Sequence, residues 1–204
     1  MVILGLTGSI AMGKSTAAAA FRRLGVPVHD SDVEIHALLG PRGTAVAAVE
    51  VAFPGVVKNG AVDRPALGAR VFGDPTALRR LERILHPLVS ASRAKFLRKN
   101  TMRGRRVVVL DIPLLYEVGA DKLCDAVVVV TAPKFLQRLR VLRRPGMSEE
   151  RLAAILARQM PDGEKRRRAD FVVSTGLGRA ASLRHIRIVV KVANMMSGCH
   201  WPPR

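Results

Sequence analysis

Gly8-Ser9-Ile10-Ala11-Met12-Gly13-Lys14-Ser15 fits the spacing G-x-x-x-x-G-K-[ST]. Before it stands a short apolar run, Val2–Leu6, which reads as a buried strand. After it, Ser15–Leu24 reads as a helix, with four consecutive alanines and Gly25 as its stop. A glycine-rich turn between a strand and a helix lets backbone N–H groups converge on a phosphate chain, and the helix adds its positive dipole end. In that geometry Lys14 reaches the β- and γ-phosphates of ATP and the Ser15 hydroxyl ligates Mg²⁺. Gly8, Ala11, Met12, Gly13 and Thr16 complete the expected ATP-binding loop. A chance match on a glycine-rich turn is the competing reading, and strand, loop and helix in register argue against it. Ala11 stands where many such loops carry a third glycine; a positive φ there strains alanine by about 1 kcal/mol or more.

Working outward, strands alternate with helices. Pro27–His29, Val107–Asp111, Ala126–Thr131 and Phe171–Val173 read as further strands. Helices are expected over Ala77–Leu85, from Pro133 to Arg143, from an N-cap at Ser148 to Gln159, and near Ser182–Met195. Apolar strands separated by helices indicate an α/β fold with a parallel five-stranded sheet flanked by helices. Between Asp32 and Asn100 the signals are helical and strands are absent. That stretch is too long for a simple crossover, so a helical insertion over about 33–100 is expected inside a single domain of residues 1–196. His86-Pro87 reads either as a helix breaker or as part of an acceptor surface. Val107–Asp111 is four apolar residues ending in Asp, and Asp111 is a candidate second-shell Mg²⁺ ligand or a solvated strand end. Arg140 and Arg144, four apart, are expected on one helical face, where guanidinium groups suit a transferring phosphoryl group; a solvated basic face is the alternative. Arg166–Arg168 reads more as surface charge than as site. The tail, residues 197–204, is expected to fray.

The composition bounds the partners. The chain has 204 residues, 49% of them apolar, enough for a sizeable core. Lys and Arg number 34 against 16 Asp and Glu, a net charge of +18, which calls for an anionic partner. The eight aromatic residues are not interleaved with the basic runs as a stacking platform for single-stranded nucleic acid requires. No apolar run approaches the ~20 residues of a membrane helix, and the start lacks the basic segment of a signal peptide, so a cytoplasmic protein is expected. Cys124 and Cys199 give neither a disulfide framework nor metal-ligand spacing, and Cys199-His200 is not read as a metal site.

A phosphate-binding loop alone does not separate GTPases, motor ATPases and small-molecule kinases. GTPases want an [NT]-K-x-D motif, and none is found. Leu4-Gly5-Leu6-Thr7-Gly8-Ser9-Ile10 followed by Gly13-Lys14-Ser15-Thr16 resembles the opening of dephospho-CoA kinases. Similar to that family are also His29-Asp30-Ser31-Asp32, Val62-Asp63-Arg64 with Leu67, Leu85-His86-Pro87-Leu88, and Asp111-Ile112-Pro113-Leu114-Leu115-Tyr116-Glu117. Arg140, Arg144, Gly146, Ser148 and Gln159, then Lys165 to Asp170, resemble its lid, about 140–168, and final strand. Ala11 and Ser174-Thr175 depart from the family pattern, the latter standing where Asp-Asn is usual. The resemblance implies a P-loop kinase fold with ATP and Mg²⁺, and transfer of the γ-phosphoryl group to the ribose 3′-hydroxyl of dephospho-CoA. It implies Asp32 as the base, with Lys14, Arg140 and Arg144 in the catalytic set. It places Asp30, Arg64, His86, Pro87, Leu114 and Glu117 at the acceptor. A nucleoside monophosphate kinase, or another small-molecule kinase of this architecture, is the nearest alternative. A basic RNA-binding protein is the alternative from another class, although nucleic acid is not the expected partner.

Overall fold

The computed structural model describes residues 1–202. The elements run β1 (Val2–Thr7), α1 (Lys14–Arg23), β2 (Val28–Asp30), α2 (Ser31–Leu39), α3 (Val46–Ala52), β3 (Val57–Lys58), β4 (Ala61–Val62), α4 (Arg64–Val71) and α5 (Pro75–Met102). They continue through β5 (Val107–Asp111), a 3₁₀ turn at Ala120–Leu123, β6 (Ala126–Thr131), α6 (Lys134–Leu142), α7 (Glu149–Ala157), α8 (Asp162–Arg168), β7 (Phe171–Ser174) and α9 (Arg179–Ala193).

Two compact units emerge. The first joins Met1–His29 to the described residues from Asn100 onward. Its sheet has the order β2-β5-β1-β6-β7, with β1 parallel to β5 and β6, and β6 parallel to β7. Such strands are buried on both faces, which is why they read as continuous apolar runs. On one face Leu4, Leu6, Val109, Val128 and Val130 pack with Ala17 and Phe21 of α1 and Ile186 and Val189 of α9. Burying a side chain such as Phe21 stabilises by roughly 1.5–3 kcal/mol. On the other face a Cβ at Gly5 would lie 2.6 Å from Leu115 Cδ1 and 2.8 Å from Cys124 Sγ. A glycine there lets the segment after β5 lie flat on the sheet.

The second unit, Asp30–Lys99, has its own small core of Leu39, Val49, Phe53, Val56, Leu67 and Leu85. Three readings of this unit need correction. The stretch is not strand-free: β3 and β4 form an antiparallel two-residue hairpin around Asn59 and Gly60, both at positive φ. Its strands are too short to show period-two alternation. The helix read over Ala77–Leu85 extends from Pro75 to Met102. Pro87 lies inside it and does not break it. His86 and Pro87 are exposed, so solvent can satisfy the carbonyl that Pro87 leaves without its N–H partner, while buried Leu85 and Leu97 anchor the helix on either side. Helices α2, α3 and α4 further divide the region. Asp63 caps α4 by accepting from Ala66 N–H at 3.1 Å, with Pro65 at the start of the helix.

The tail expected to fray is tied down. Cys199 N–H and His200 N–H donate to Asp125, and Trp201 Nε1–H donates to Thr101 Oγ1 at 2.8 Å. Side chains 70 and more residues away hold it, and local composition gives no sign of that. Pro203 and Arg204 lie outside the described residues.

Candidate active site

β1 delivers the chain into the loop of residues 8–13. A Cβ at Gly8 would lie 2.4 Å from Val130 Cγ2 and 2.7 Å from the Val130 carbonyl oxygen, so only glycine lets the loop leave β1 while hugging β6. Ala11 has φ +58° and Gly13 +93°. The condition for strain at Ala11 is therefore met. A Cβ at Gly13 would also meet the Thr175 side chain at 2.8 Å.

The loop is held from outside by its carbonyls. Gln137 Nε2 donates to the Ile10 carbonyl at 2.9 Å, Arg140 to that of Ala11 at 3.3 Å, and Thr175 Oγ1 to that of Met12 at 2.6 Å. Because a peptide is planar and trans, N–H points opposite to the preceding carbonyl. Fixing the Ile10 and Met12 carbonyls outward sends the Ala11 and Gly13 N–H groups inward. Ile10 N–H is taken by Gln159 Oε1 at 3.1 Å, and the buried Met12 thioether accepts from Ala132 N–H. α1 then begins at Lys14 with no side chain capping its first turn, so those N–H groups add to the anion-binding set. Ser15 is exposed on that first turn and Thr16 is partly buried beside it.

Gln137 escaped the sequence reading, because one buried glutamine among arginines on α6 has no sequence signature. Thr175 was seen only as a departure from a family pattern. It clamps the loop, and Arg140 donates to its carbonyl at 3.0 Å.

Register brings the end of β5 to the loop, since Leu6 pairs with Asp111. Lys14 Nζ lies 2.5 Å from Asp111 Oδ1, and Asp111 is only 1% exposed. A solvated strand end is excluded. Thr7 Oγ1 donates to the Pro113 carbonyl, closing this corner.

Arg140 and Arg144 do not share a helical face, because α6 ends at Leu142 and Arg144 sits in the turn beyond it. Arg140 points at the loop backbone and Thr175, leaving Arg144 exposed.

The residues expected at the acceptor are carried by several elements of the two units. Asp30 ends β2 and caps α2, accepting from Asp32 N–H at 3.1 Å and Val33 N–H at 3.2 Å. Asp32 is exposed on the first turn of α2, and Arg64 is exposed at the start of α4. Leu114 is in an exposed turn after β5. Glu117 is engaged on two sides. It accepts from Met160 N–H at 2.8 Å and lies 2.8 Å from Lys165 Nζ, which is fully buried. Arg166 and Arg167 are exposed, while Arg168 stacks its guanidinium 4.5 Å above the Tyr116 ring. Burial opposes ionisation of Glu117, but the hydrogen bonds from Lys165 and Met160 hold its carboxyl below the usual range. Desolvation pushes the Tyr116 hydroxyl up to about 12.

Helices α6, α7 and α8, with the loop, border an open cleft of about 1000 Å³ lined by Ser9, Gln137, Arg138, Leu152, Met160 and Asp162. That volume suits a nucleotide-sized ligand. A smaller opening of about 410 Å³ adjoins Ser15, Thr16, Arg23 and Arg179.

The family model of dephospho-CoA kinases matches residues 2–178. The chain belongs to the dephospho-CoA kinase family. It is 64% identical over 166 residues to a dephospho-CoA kinase of Paramagnetospirillum magneticum, covering 81% of this chain and 78% of the relative. A crystal structure from Thermus thermophilus superposes with a TM-score of 0.81 at 34% identity, covering 96% of this chain and 98% of the other. The dephospho-CoA kinase of Campylobacter jejuni does so at 0.64 and 25% identity, covering 95% and 98%. Membership of the dephospho-CoA kinase family makes the chain a nucleotide-binding transferase, an ATP-dependent kinase of coenzyme A biosynthesis. Among the described residues no helix is long and apolar enough to cross a membrane.

Proposed function

We propose that the chain transfers the γ-phosphoryl group of ATP to the ribose 3′-hydroxyl of dephospho-CoA in the cytoplasm, with the following division of labour. The observation that carries the reading is the loop whose carbonyls are pinned outward, leaving inward N–H donors beside Lys14. These donors and the Lys14 ammonium hold the β- and γ-phosphates and stabilise charge as it builds there. The exposed Ser15 hydroxyl is a hard oxygen donor that would ligate Mg²⁺, and the Asp111 carboxylate, paired with Lys14, would support the ion without binding it directly. When bound, the ion neutralises charge on the β- and γ-oxygens.

Asp32 takes the acceptor side. Its carboxylate orients the ribose hydroxyl and accepts its proton as the new O–P bond forms and the γ-phosphorus separates from the bridging oxygen, leaving ADP. Asp30 supports Asp32 through the N-cap that fixes the first turn of α2. Arg64, His86 and Pro87 are carried forward as acceptor contacts. Arg144, exposed in the turn after α6, suits the transferring group better than Arg140. Arg140 positions the loop through the Ala11 carbonyl.

The deciding experiment measures ADP release from ATP with dephospho-CoA against AMP, CMP, shikimate and gluconate. Turnover with dephospho-CoA alone is the expected result. Preferential turnover with AMP or CMP would establish a nucleoside monophosphate kinase instead.

A further inference from the structure

Asp125 converges with Cys199 and His200, both of which lie beyond the segment the family model covers, which ends at residue 178. Asp125 immediately precedes β6. Its Oδ2 accepts from Ile3 N–H at 2.7 Å, so β1 fixes how the carboxylate is turned and directs Oδ1 toward the tail. There Oδ1 lies 2.9 Å from His200 Nδ1 and 3.3 Å from Cys199 Sγ, and the sulfur and ring nitrogen are 3.3 Å apart. The segment that carries these side chains is docked on both sides. A Cβ at Gly198 would lie 2.1 Å from the Met1 carbonyl oxygen, so only glycine lets the tail run so close to the start of β1. Two residues past Cys199, the Trp201 indole N–H bonds to Thr101.

We propose that Asp125 Oδ1, Cys199 Sγ and His200 Nδ1 form a binding site for a borderline-soft divalent metal, zinc above all. Thiolate, imidazole and carboxylate are the donor set that zinc takes, with metal–ligand distances of about 2.0–2.3 Å. Tetrahedral angles at those lengths separate the donors by roughly 3.3–3.6 Å. The observed spacings need to open by only a few tenths of an ångström. Cys199 and His200 are exposed, so the fourth position faces solvent and takes water. On binding, the Cys199 thiol loses its proton to solvent and sulfur binds as thiolate, while His200 binds as neutral imidazole. Ile3 N–H on Asp125 Oδ2 provides the outer support that metal ligands commonly have, and the Cys199 and His200 N–H groups reach Oδ1 itself at 2.7 and 3.2 Å.

Asp125 lies at the amino end of β6, whereas the phosphate loop follows the carboxyl end of β1, which is parallel to β6. The two sites therefore lie at opposite ends of the sheet's strands. The metal's work is to pin the tail onto β1 and β6, and it takes no part in phosphoryl transfer.

The test uses the full chain, stripped with chelator and titrated with Co²⁺ alone. The expected result is a one-to-one complex with a thiolate-to-cobalt charge-transfer band, displaced by Zn²⁺. Cys124 is buried, so the band reports Cys199. Cys199→Ser should abolish the band. Cys199→Ser and His200→Ala should each weaken Zn²⁺ binding by at least about 10-fold, with kinase turnover unchanged. Zinc should raise the thermal midpoint of the parent protein and not that of Cys199→Ser. Asp125→Asn joins the series if it folds; the two tail variants decide the matter without it. The idea fails if no one-to-one complex forms, if the band persists in Cys199→Ser, or if both tail variants bind Zn²⁺ within two-fold of the parent. In any of those cases the cluster is a hydrogen-bonded anchor for the tail and nothing more.

Discussion

Lys14 and Asp111 sit 2.5 Å apart at the mouth of the phosphate loop, and the pair concentrates the charge on which transfer depends. Lys14→Ala removes the cation facing the transferring phosphoryl group and leaves a nearly buried carboxylate without it. Turnover should fall by at least ~10², since one such contact is worth roughly 3 kcal/mol or more in a dry site. Steady-state rates near the parent's would mean that the loop binds no substrate phosphate. Asp32 is a different kind of residue, exposed on the first turn of α2. Asp32→Asn keeps the shape and one acceptor oxygen but loses the base, so kcat should drop by about 10²–10⁴, with ATP affinity, measured separately by titration, little changed. If instead Asp30→Asn abolishes kcat while Asp32→Asn stays within a few-fold, the roles of the two aspartates are reversed. Ala11 holds φ +58°. Ala11→Gly removes up to about 1 kcal/mol of backbone strain, partly offset by the greater freedom of unfolded glycine. Activity should be retained and the thermal midpoint should stay level or rise; a clear fall in the midpoint would remove strain as a property of this loop.

Helix α8 shows how an element can hide behind its own composition. Asp162–Arg168 holds four consecutive basic residues, yet the first of them, Lys165, is fully buried against Glu117. The same Glu117 carboxylate accepts from Met160 N–H, so one side chain after β5 fixes both the approach to α8 and its first basic residue. Glu117→Gln leaves the Lys165 charge buried and uncompensated, which typically costs about 3 kcal/mol or more. Denaturant unfolding should show that loss, and Glu117→Gln combined with Lys165→Met should recover part of it. If the double variant is as unstable as the sum of the two singles, the pair is not energetically coupled. The pH dependence has a definite sign. The folded-state pKa of Glu117 lies below its ordinary 4.5. Its stabilisation is therefore complete above that value and is lost as the pH falls through the lower, folded-state pKa. Unfolding at pH 3–7 should show a steeper loss of stability in acid for the parent protein than for the double variant. Equal slopes would show that Glu117 does not titrate with folding.

At the scale of the molecule, the kinase reading has a consequence independent of any one residue. An enzyme that moves a phosphoryl group to an alcohol must keep water from taking it first, and acceptor binding completes such a site. ATP hydrolysis in the absence of dephospho-CoA should be much slower than transfer in its presence. Equal rates of ADP formation with and without the acceptor would indicate an ATPase. The +18 charge fits two polyanionic substrates. Its basic residues are scattered along the sequence, at positions 22–23, 79–80, 103–106, 143–144 and 165–168.

The five sheet strands, the phosphate loop and the family were legible in the sequence because each is a local pattern. Apolar runs between helices report burial on both faces, and G-x-x-x-x-G-K-[ST] compresses a whole binding geometry into eight consecutive residues. Helix capping by Ser148 was local in the same way. The β3–β4 hairpin was missed because two-residue strands carry no period. Pro87 misled because its cost depends on where the vacated carbonyl faces, which only packing decides. The outward pinning of the loop by Gln137, Arg140 and Thr175 joins residues 127 to 163 positions apart. The cluster of Asp125 with Cys199 and His200 spans 74 and 75. Sequence spacing describes what one helix turn or one loop can bring together. These contacts arise when β1, β5, β6 and β7 are laid side by side, so their partners are set by sheet order and register, which no local stretch of the chain encodes.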